Sequence, residues 1–333
     1  MPARHDPPGT VTADALVDEM RNAPHAIRRA IRFVRYGDID VPVRIMDIPE
    51  AGACSGAPLV VVFHGGFNRN VPYPFFYGQR FAGTEDAPPR TVLALCDPTL
   101  AVNDTLRFGW FAGRAGFDVP AAVHALLREV IGGIGPSRTL FAGGSIGAHA
   151  ALRHVGAFPD AVFVGLNPLP RISIYYRAGV EDFLRTCWPG QYDAATLTSQ
   201  YVEDDTGDRY DGVALTNDFV IVQNPTDPHL YQQALPLLQK LGRNPATAGR
   251  VLGVMPYMAG CAGHGVPKGM FEQWVEAAIR APGTSPDTIA LTHDRLTRAE
   301  ALPAAETVSA TFGIDKQLAR EIAARASAWT SNV

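Results

Sequence analysis

Largely apolar runs recur along the chain, each closed by a polar or glycine-rich turn, and they alternate with stretches of helical spacing. The runs are Pro58–Phe63, Arg90–Cys96, Thr139–Ala142, Ala161–Leu166, Asp218–Gln223 and Arg250–Met255. A strand apolar at successive positions is buried on both faces, as in a parallel sheet sandwiched between helices. Helical spacing is read over Ala13–Ile31, with Thr12 as N-cap, then over Val119–Ile131, from Ser145 through Leu152, over Leu230–Leu241 and over Val266–Ile279. Ile31–Tyr36 and Val41–Ile48 alternate as two strands around Gly37-Asp38-Ile39-Asp40, an antiparallel hairpin at a sheet edge. The pattern predicts an α/β fold: a mostly parallel twisted sheet with helices on both faces, joined by right-handed crossovers.

Two stretches break the rhythm. Arg171–Tyr210 holds Tyr175, Tyr176, Phe183, Trp188, Tyr192, Tyr201 and Tyr210 between two sheet strands. It is too long for an ordinary connection and predicts a cap insertion over about residues 170–212. Pro282–Val333 follows the last sheet helix and reads as a C-terminal helical extension, including Ala304–Phe312 and Asp315–Thr330. The expected organisation is a lead-in over 1–30 with a loose Pro-rich start, a main domain over 31–281, and the extension over 282–333. Ala305–Ile322 faintly resembles a helix-turn-helix, but it has at least as many acids as bases, which argues for a packing appendage.

Composition narrows the class. The 333 residues are 47% hydrophobic and 19% charged, with net charge −4, which fits a globular protein and gives no reason to expect nucleic-acid or membrane-surface partners. Cys54, Cys96, Cys187 and Cys261 are scattered, with no zinc spacing, and read as free thiols. The N-terminus lacks the apolar core of a signal peptide, so the cytoplasm is the expected compartment. No G-x-G-x-x-G follows the first parallel strand, and neither cofactor nor metal is expected. A homo-oligomer stays open.

The densest chemical signal is Gly143-Gly144-Ser145-Ile146-Gly147, set between an apolar run and a helix. Glycines two before and two after the serine let strand and helix approach, and Gly144 is expected to ease the turn further. The helix starting at Ser145 aims its N-terminal N–H groups at charge developing there. His64-Gly65-Gly66, Asp227 and His264 likewise fall at strand C-termini, where ligands bind in open α/β sheets.

In this order the four features resemble the α/β-hydrolase superfamily, over about residues 30–281. The resemblance implies Ser145 as nucleophile, His264 as general base and Asp227 as orienting acid. It implies an oxyanion hole from the Ile146 N–H with a second donor at Gly66 or Phe67. Phe67 stands where known His-Gly-Gly-Gly loops carry a third glycine. His64 is expected to anchor that loop, and His124, His149 and His154 to be packing or surface residues. His229 is read as too close to Asp227 to serve the same triad, and Asp227 is preferred over Asp218 and over Asp204, Asp205 and Asp208 of the cap. Trp110, Phe67, Tyr175 and Tyr176 could wall an apolar acyl pocket, and Arg69 and Arg107 could meet a negatively charged substrate. The set His64-Gly-Gly-Phe67, Asp97-Pro-Thr99, Trp110-Phe-Ala-Gly113 and Gly143–Gly147 looks like cytoplasmic hydrolase-like proteins linked to surface-polysaccharide work. Three activities fit: a serine hydrolase cleaving an ester through an acyl-enzyme, an acyltransferase or deacetylase acting on a glycan or other alcohol, and a silent binding protein on the same fold.

Overall fold

The computed structural model describes residues 7–66, 71–84, 87–190, 202–256, 258, 260–301 and 317. Nine strands form one sheet: β1 Thr10–Val11, β2 Ile31–Tyr36, β3 Ile39–Asp47, β4 Leu59–Phe63, β5 Thr91–Leu95, β6 Thr139–Gly144, β7 Val162–Leu166, β8 Asp218–Val222 and β9 Val251–Val254. Their order is β1-β2-β3-β5-β4-β6-β7-β8-β9. β3 runs antiparallel to β2 and β5; the other pairs are parallel. From β4 the chain goes outward to β5, then returns to β6 on the other side. That reversal puts the topological switch point at the carboxyl ends of β4 and β6, the place where open α/β sheets bind ligands.

Every residue of β4, β5, β7 and β8 is buried. Alternate residues feed two separate cores, as the period of two requires. Leu59, Val61, Phe63, Phe141, Phe163, Phe219 and Ile221 face helices α1 Ala13–Asn22, α3 Val119–Ile134 and α4 Ile146–Val155, with Leu237 and Leu241 of α6 Leu235–Arg243. Val60, Val62, Leu140, Ala142, Val162, Val164, Val220 and Val222 face Phe271, Trp274 and Val275 of α7 Met270–Arg280, with Ile289 of α8 Pro286–Ala301.

The elements depart from the sequence pattern where proline, glycine or pairing intervenes. The helix expected over Ala13–Ile31 divides: α1 stops at Asn22, and Pro24 opens the short helix α2 Pro24–Ile27, because a proline ring fits only a helix's first turn. Residues expected to be loose instead contribute β1, which pairs Thr10 with Phe33 and Val11 with Val34. The hairpin turn is tighter than expected, with β3 starting at Ile39. The stretch from Leu230 begins as a wide turn at Leu230–Ala234 before α6, with Pro236 in the helix's first turn. Pro267 and the positive φ of Gly269 (91°) delay α7 to Met270. The helices expected over 304–312 and 315–330 lie outside the described residues.

Between β7 and β8 the chain leaves the sheet. It forms α5 Arg177–Cys187 and a short turn Thr206–Tyr210; residues 191–201 lie outside the described set. Val180, Phe183, Leu184 and Trp188 join Leu100, Leu106, Trp110 and Ile146 in a third core above the strand ends. Buried polar contacts fasten this layer to α4. His149 Nδ1 meets the Pro170 carbonyl (2.9 Å), and Arg153, itself buried, pairs with Glu203 (2.9 Å). His149 and His154 are buried as packing residues, and burial holds both imidazoles well below their usual pKa. Among the described residues no helix is long and apolar enough to cross a membrane.

Candidate active site

Ser145 sits between β6 and α4 with φ 57° and ψ −122°, a region that side chains with a Cβ rarely enter. The flanking glycines explain how the turn closes. A Cβ on Gly143 would lie 2.3 Å from the Gly147 carbonyl oxygen, and one on Gly147 would lie 2.3 Å from that of Phe63 and 2.7 Å from that of His64. Gly144 is different: its nearest neighbour to an added Cβ is 3.7 Å away, so the turn does not need it to be glycine. Ser145 occupies the N-cap position of α4 but makes no side-chain cap hydrogen bond. Its hydroxyl is therefore not spent on the helix. Its backbone N–H donates to Leu166 O (2.8 Å), locking the elbow to the end of β7.

Asp227 and His264 come together from loops 37 positions apart. His264 Nδ1 lies 2.7 Å from Asp227 Oδ2. The carboxylate is buried and the imidazole side chain 37% exposed. Burial pushes the Asp227 carboxyl up, but hydrogen bonds from His264 and from the His229 backbone N–H outweigh it and bring its pKa down to about 2. An ionised carboxylate only accepts hydrogen bonds. His264 must then carry its proton on Nδ1, which leaves the Nε2 lone pair available as a base.

Two asparagines that the sequence reading passed over hold this arrangement. Asn167, buried and with φ 43°, follows β7; its Nδ2 donates to His264 O (3.0 Å) and its Oδ1 accepts from Asn224 N (2.7 Å). Asn224, after β8, donates through Nδ2 to Gly265 O (2.7 Å) and Cys261 O (3.2 Å). Asn167 also adjoins Leu166, the residue that accepts from Ser145 N. The elbow, the acid loop and the histidine loop thus share one buried hydrogen-bonded hub. The only sequence signal was an asparagine directly after an apolar run.

His229, read from the sequence as too close to Asp227 to serve the same triad, contacts the other oxygen of that carboxylate. Its Nδ1 lies 3.0 Å from Oδ1 and its backbone N–H 2.9 Å from the same oxygen. The Asp-Pro-His spacing folds the chain back in a turn closed by the aspartate side chain, which swings the histidine onto the free carboxylate oxygen. The ring also stacks on Tyr175 (5.5 Å, 21°).

On the other side of the elbow, Gly65 comes close: its added Cβ would be 3.1 Å from Gly144 O and 3.7 Å from Ser145 Cβ. His64 anchors this loop, as expected. Its Nε2 accepts from Asp97 N (3.0 Å) and its Nδ1 donates to Gly65 O (2.6 Å). Burial pushes its pKa down to about 4, so the ring is neutral and already bonded at both nitrogens. Asp97 does structural work beside it, accepting from Thr99 N and Phe111 N (2.8 Å each). Thr99 Oγ1 accepts from Gly113 N (2.9 Å), so Asp97-Pro-Thr99 and Trp110–Gly113 interlock. Gly66 lies against Phe108, 2.9 Å from an added Cβ. Phe67 and Arg69 lie outside the described residues.

Of the three described residues expected in a substrate wall, Trp110 is a correction. It is fully buried, wedged between Phe183 (5.1 Å) and Tyr175 (5.6 Å), and supports the cap from beneath. Its large ring and the interlocked loop place it in the third core. Tyr175 is half-buried and Tyr176 48% exposed; both pack edge-on against Phe108.

The sequence matches no protein-family model and no curated protein. Solved structures do resemble the fold. The capsule O-acetyltransferase of Neisseria meningitidis serogroup A superposes with TM-score 0.54 at 13% identity, covering 75% of this chain and 94% of that one. A histidine-to-alanine mutant of that acetyltransferase in complex with CoA gives TM-score 0.54 at 11% identity, covering 79% and 100%. Apo esterase 2 of Thermogutta terrifontis gives 0.48 at 13% identity, covering 81% and 94%. With its nine-stranded, mostly parallel sheet, flanking helices and serine elbow, the chain has an α/β-hydrolase-like fold.

Proposed function

We propose that the protein is a serine hydrolase that cleaves a carboxylic ester through an acyl-enzyme on Ser145. Two observations support the reading: a strained elbow serine whose hydroxyl is unused by the helix, and, at another strand end of the same sheet, an imidazole held on an ionised buried carboxylate. In this reading Ser145 Oγ attacks the acyl carbonyl while His264 Nε2 takes the hydroxyl proton. Negative charge on the carbonyl oxygen meets the N–H of Ile146 at the start of α4 and an N–H of the Gly66 loop. The bond to the leaving alcohol breaks and His264 returns the proton to it. Water then attacks the acyl-Ser145 ester, His264 accepts its proton, and the acid leaves as Ser145 is restored. Asp227 keeps the imidazole in the productive tautomer and balances its positive charge.

A second reading puts an alcohol, such as a sugar hydroxyl, in the place of that water. The likeness to an O-acetyltransferase fold and the layer capping the strand ends support it. The elbow chemistry is identical; exclusion of water and binding of an acceptor set the outcome.

The test is a panel of p-nitrophenyl esters of increasing acyl length, with and without glycan acceptors, on wild type and Ser145→Ala. The proposal expects turnover on short acyl esters and a loss of at least ~10³-fold in kcat for a folded Ser145→Ala. Wild-type turnover by that variant sinks it. Acyl-sugar product in place of free acid selects the second reading.

A further inference from the structure

Asp227 is unusual in having an imidazole on each oxygen: His264 on Oδ2 at 2.7 Å and His229 on Oδ1 at 3.0 Å. A proton relay to a serine uses one imidazole. The second is unexplained by the proposed chemistry. Among the described residues this is the one group of three histidine, cysteine or acidic side chains whose donor atoms all lie within 4.8 Å of one another. The two rings meet edge to face (5.5 Å, 75°), with both Nδ1 atoms directed at one carboxylate.

The donor set and its spacing suit a small divalent transition ion. Two imidazole nitrogens and a carboxylate oxygen, with an open fourth position, are a usual environment for zinc. Metal–ligand bonds of about 2.0–2.2 Å in a tetrahedron place neighbouring ligands about 3.3–3.5 Å apart. The observed separations, 2.7 Å to Oδ2 and 3.0 Å to Oδ1, need to open by about 0.3–0.8 Å, with the carboxylate turning to bring one oxygen to the ion. The frame is held on both sides: Gly263 N donates to Thr226 Oγ1 (3.0 Å), and Asn224 ties the two loops through Gly265 and Cys261. The His229 and His264 side chains are 22% and 37% exposed, so an ion can reach them from solvent.

We propose that Asp227, His229 and His264 form a three-ligand site for a zinc-type divalent ion, and that filling it silences the acyl chemistry. The second half rests on the function proposed above; the first does not. On binding, each Nδ1 gives its lone pair to the metal and the ring proton resides on Nε2. His264 then offers Ser145 a protonated nitrogen and cannot take the hydroxyl proton.

The test begins with the full chain stripped by a chelator and titrated with Co2+, an ion whose four- and five-coordinate complexes absorb visibly. The proposal expects one saturable Co2+ site, bleached by one equivalent of Zn2+, and a loss of affinity of about 100-fold or more in His229→Ala and in His264→Ala. Absence of a saturable band, or equal affinity in His229→Ala, overturns the site. Ester turnover with and without saturating Zn2+ supplies the second arm: inhibition reversed by chelator and relieved in His229→Ala supports the switch, and unchanged wild-type turnover with the site filled overturns it. A chain that binds Co2+ as expected but turns over no ester when stripped of metal keeps the site and refutes the acyl reading.

Discussion

Replacing Ser145 by glycine should stabilise the protein, the reverse of what the same change does at an ordinary helix start. At a normal N-cap, serine accepts a hydrogen bond from the helix; serine to glycine costs a few tenths of a kcal/mol and serine to alanine about 1 kcal/mol. Here Ser145 makes no capping bond, and its φ of 57° with ψ −122° holds a Cβ where sterics disfavour one. Such a conformation costs about 1–3 kcal/mol, which glycine relieves. Glycine's extra freedom in the unfolded chain takes back about 0.4–1 kcal/mol. The net gain is roughly 0.5–2 kcal/mol. With an unfolding entropy of about 2.1 cal/mol/K per residue over 333 residues, this raises Tm by ~1–3 °C. Ser145→Ala, which keeps the Cβ and loses no cap, should stay within about 0.5 kcal/mol of wild type. Differential scanning calorimetry on the three proteins reads both signs. A Ser145→Gly protein less stable than wild type, with Ser145→Ala lower by about 1 kcal/mol, would falsify the strained elbow and restore an ordinary cap.

Gly147→Ala should destabilise by about 1–3 kcal/mol or more, because its Cβ meets the Phe63 and His64 carbonyls, while Gly144→Ala, with 3.7 Å of clearance, should be nearly neutral; thermal melts of the pair check the contrast. Asp227→Asn offers one acceptor oxygen to two Nδ1–H donors, so an imidazole must change tautomer; ester turnover should fall by about 10⁴-fold with little change in fold by circular dichroism, and a loss under tenfold would remove Asp227 from the proposed machinery. His64 binds fewer protons folded than unfolded, since burial puts its pKa at about 4 against an ordinary 6.5. Its contribution is intact above about pH 6.5 and is lost as pH falls toward 4, by about 3 kcal/mol in all. Buried His149 and His154 act in the same direction, so His64→Gln should flatten only part of the acid slope in urea-denaturation midpoints; an unaltered slope would contradict the neutral, doubly bonded His64.

The sheet was legible because its central strands carry consecutive apolar residues, and only strands covered on both faces read that way. Glycines at 143 and 147 were legible for the same reason: both meet backbone, not adaptable side chains. What escaped the reading depends on contacts between loops. Trp110 looked like a pocket wall because an aromatic in a loop has no periodicity to show that Asp97 and Thr99 fold its segment inward. The contact of His229 with Asp227 has no sequence signal, because it depends on a turn closed by the Asp227 side chain itself. Asn167 and Asn224 carry no motif; their role exists only once the ends of β7 and β8 lie side by side.

The central claim is a nucleophilic serine at the elbow, and covalent labelling addresses it directly. Treating the folded protein with a fluorophosphonate probe and mapping the adduct by peptide mass spectrometry should yield one label, on Ser145, absent in Ser145→Ala and formed far more slowly in His264→Ala. An unlabelled native wild type, or equal labelling in Ser145→Ala, contradicts it.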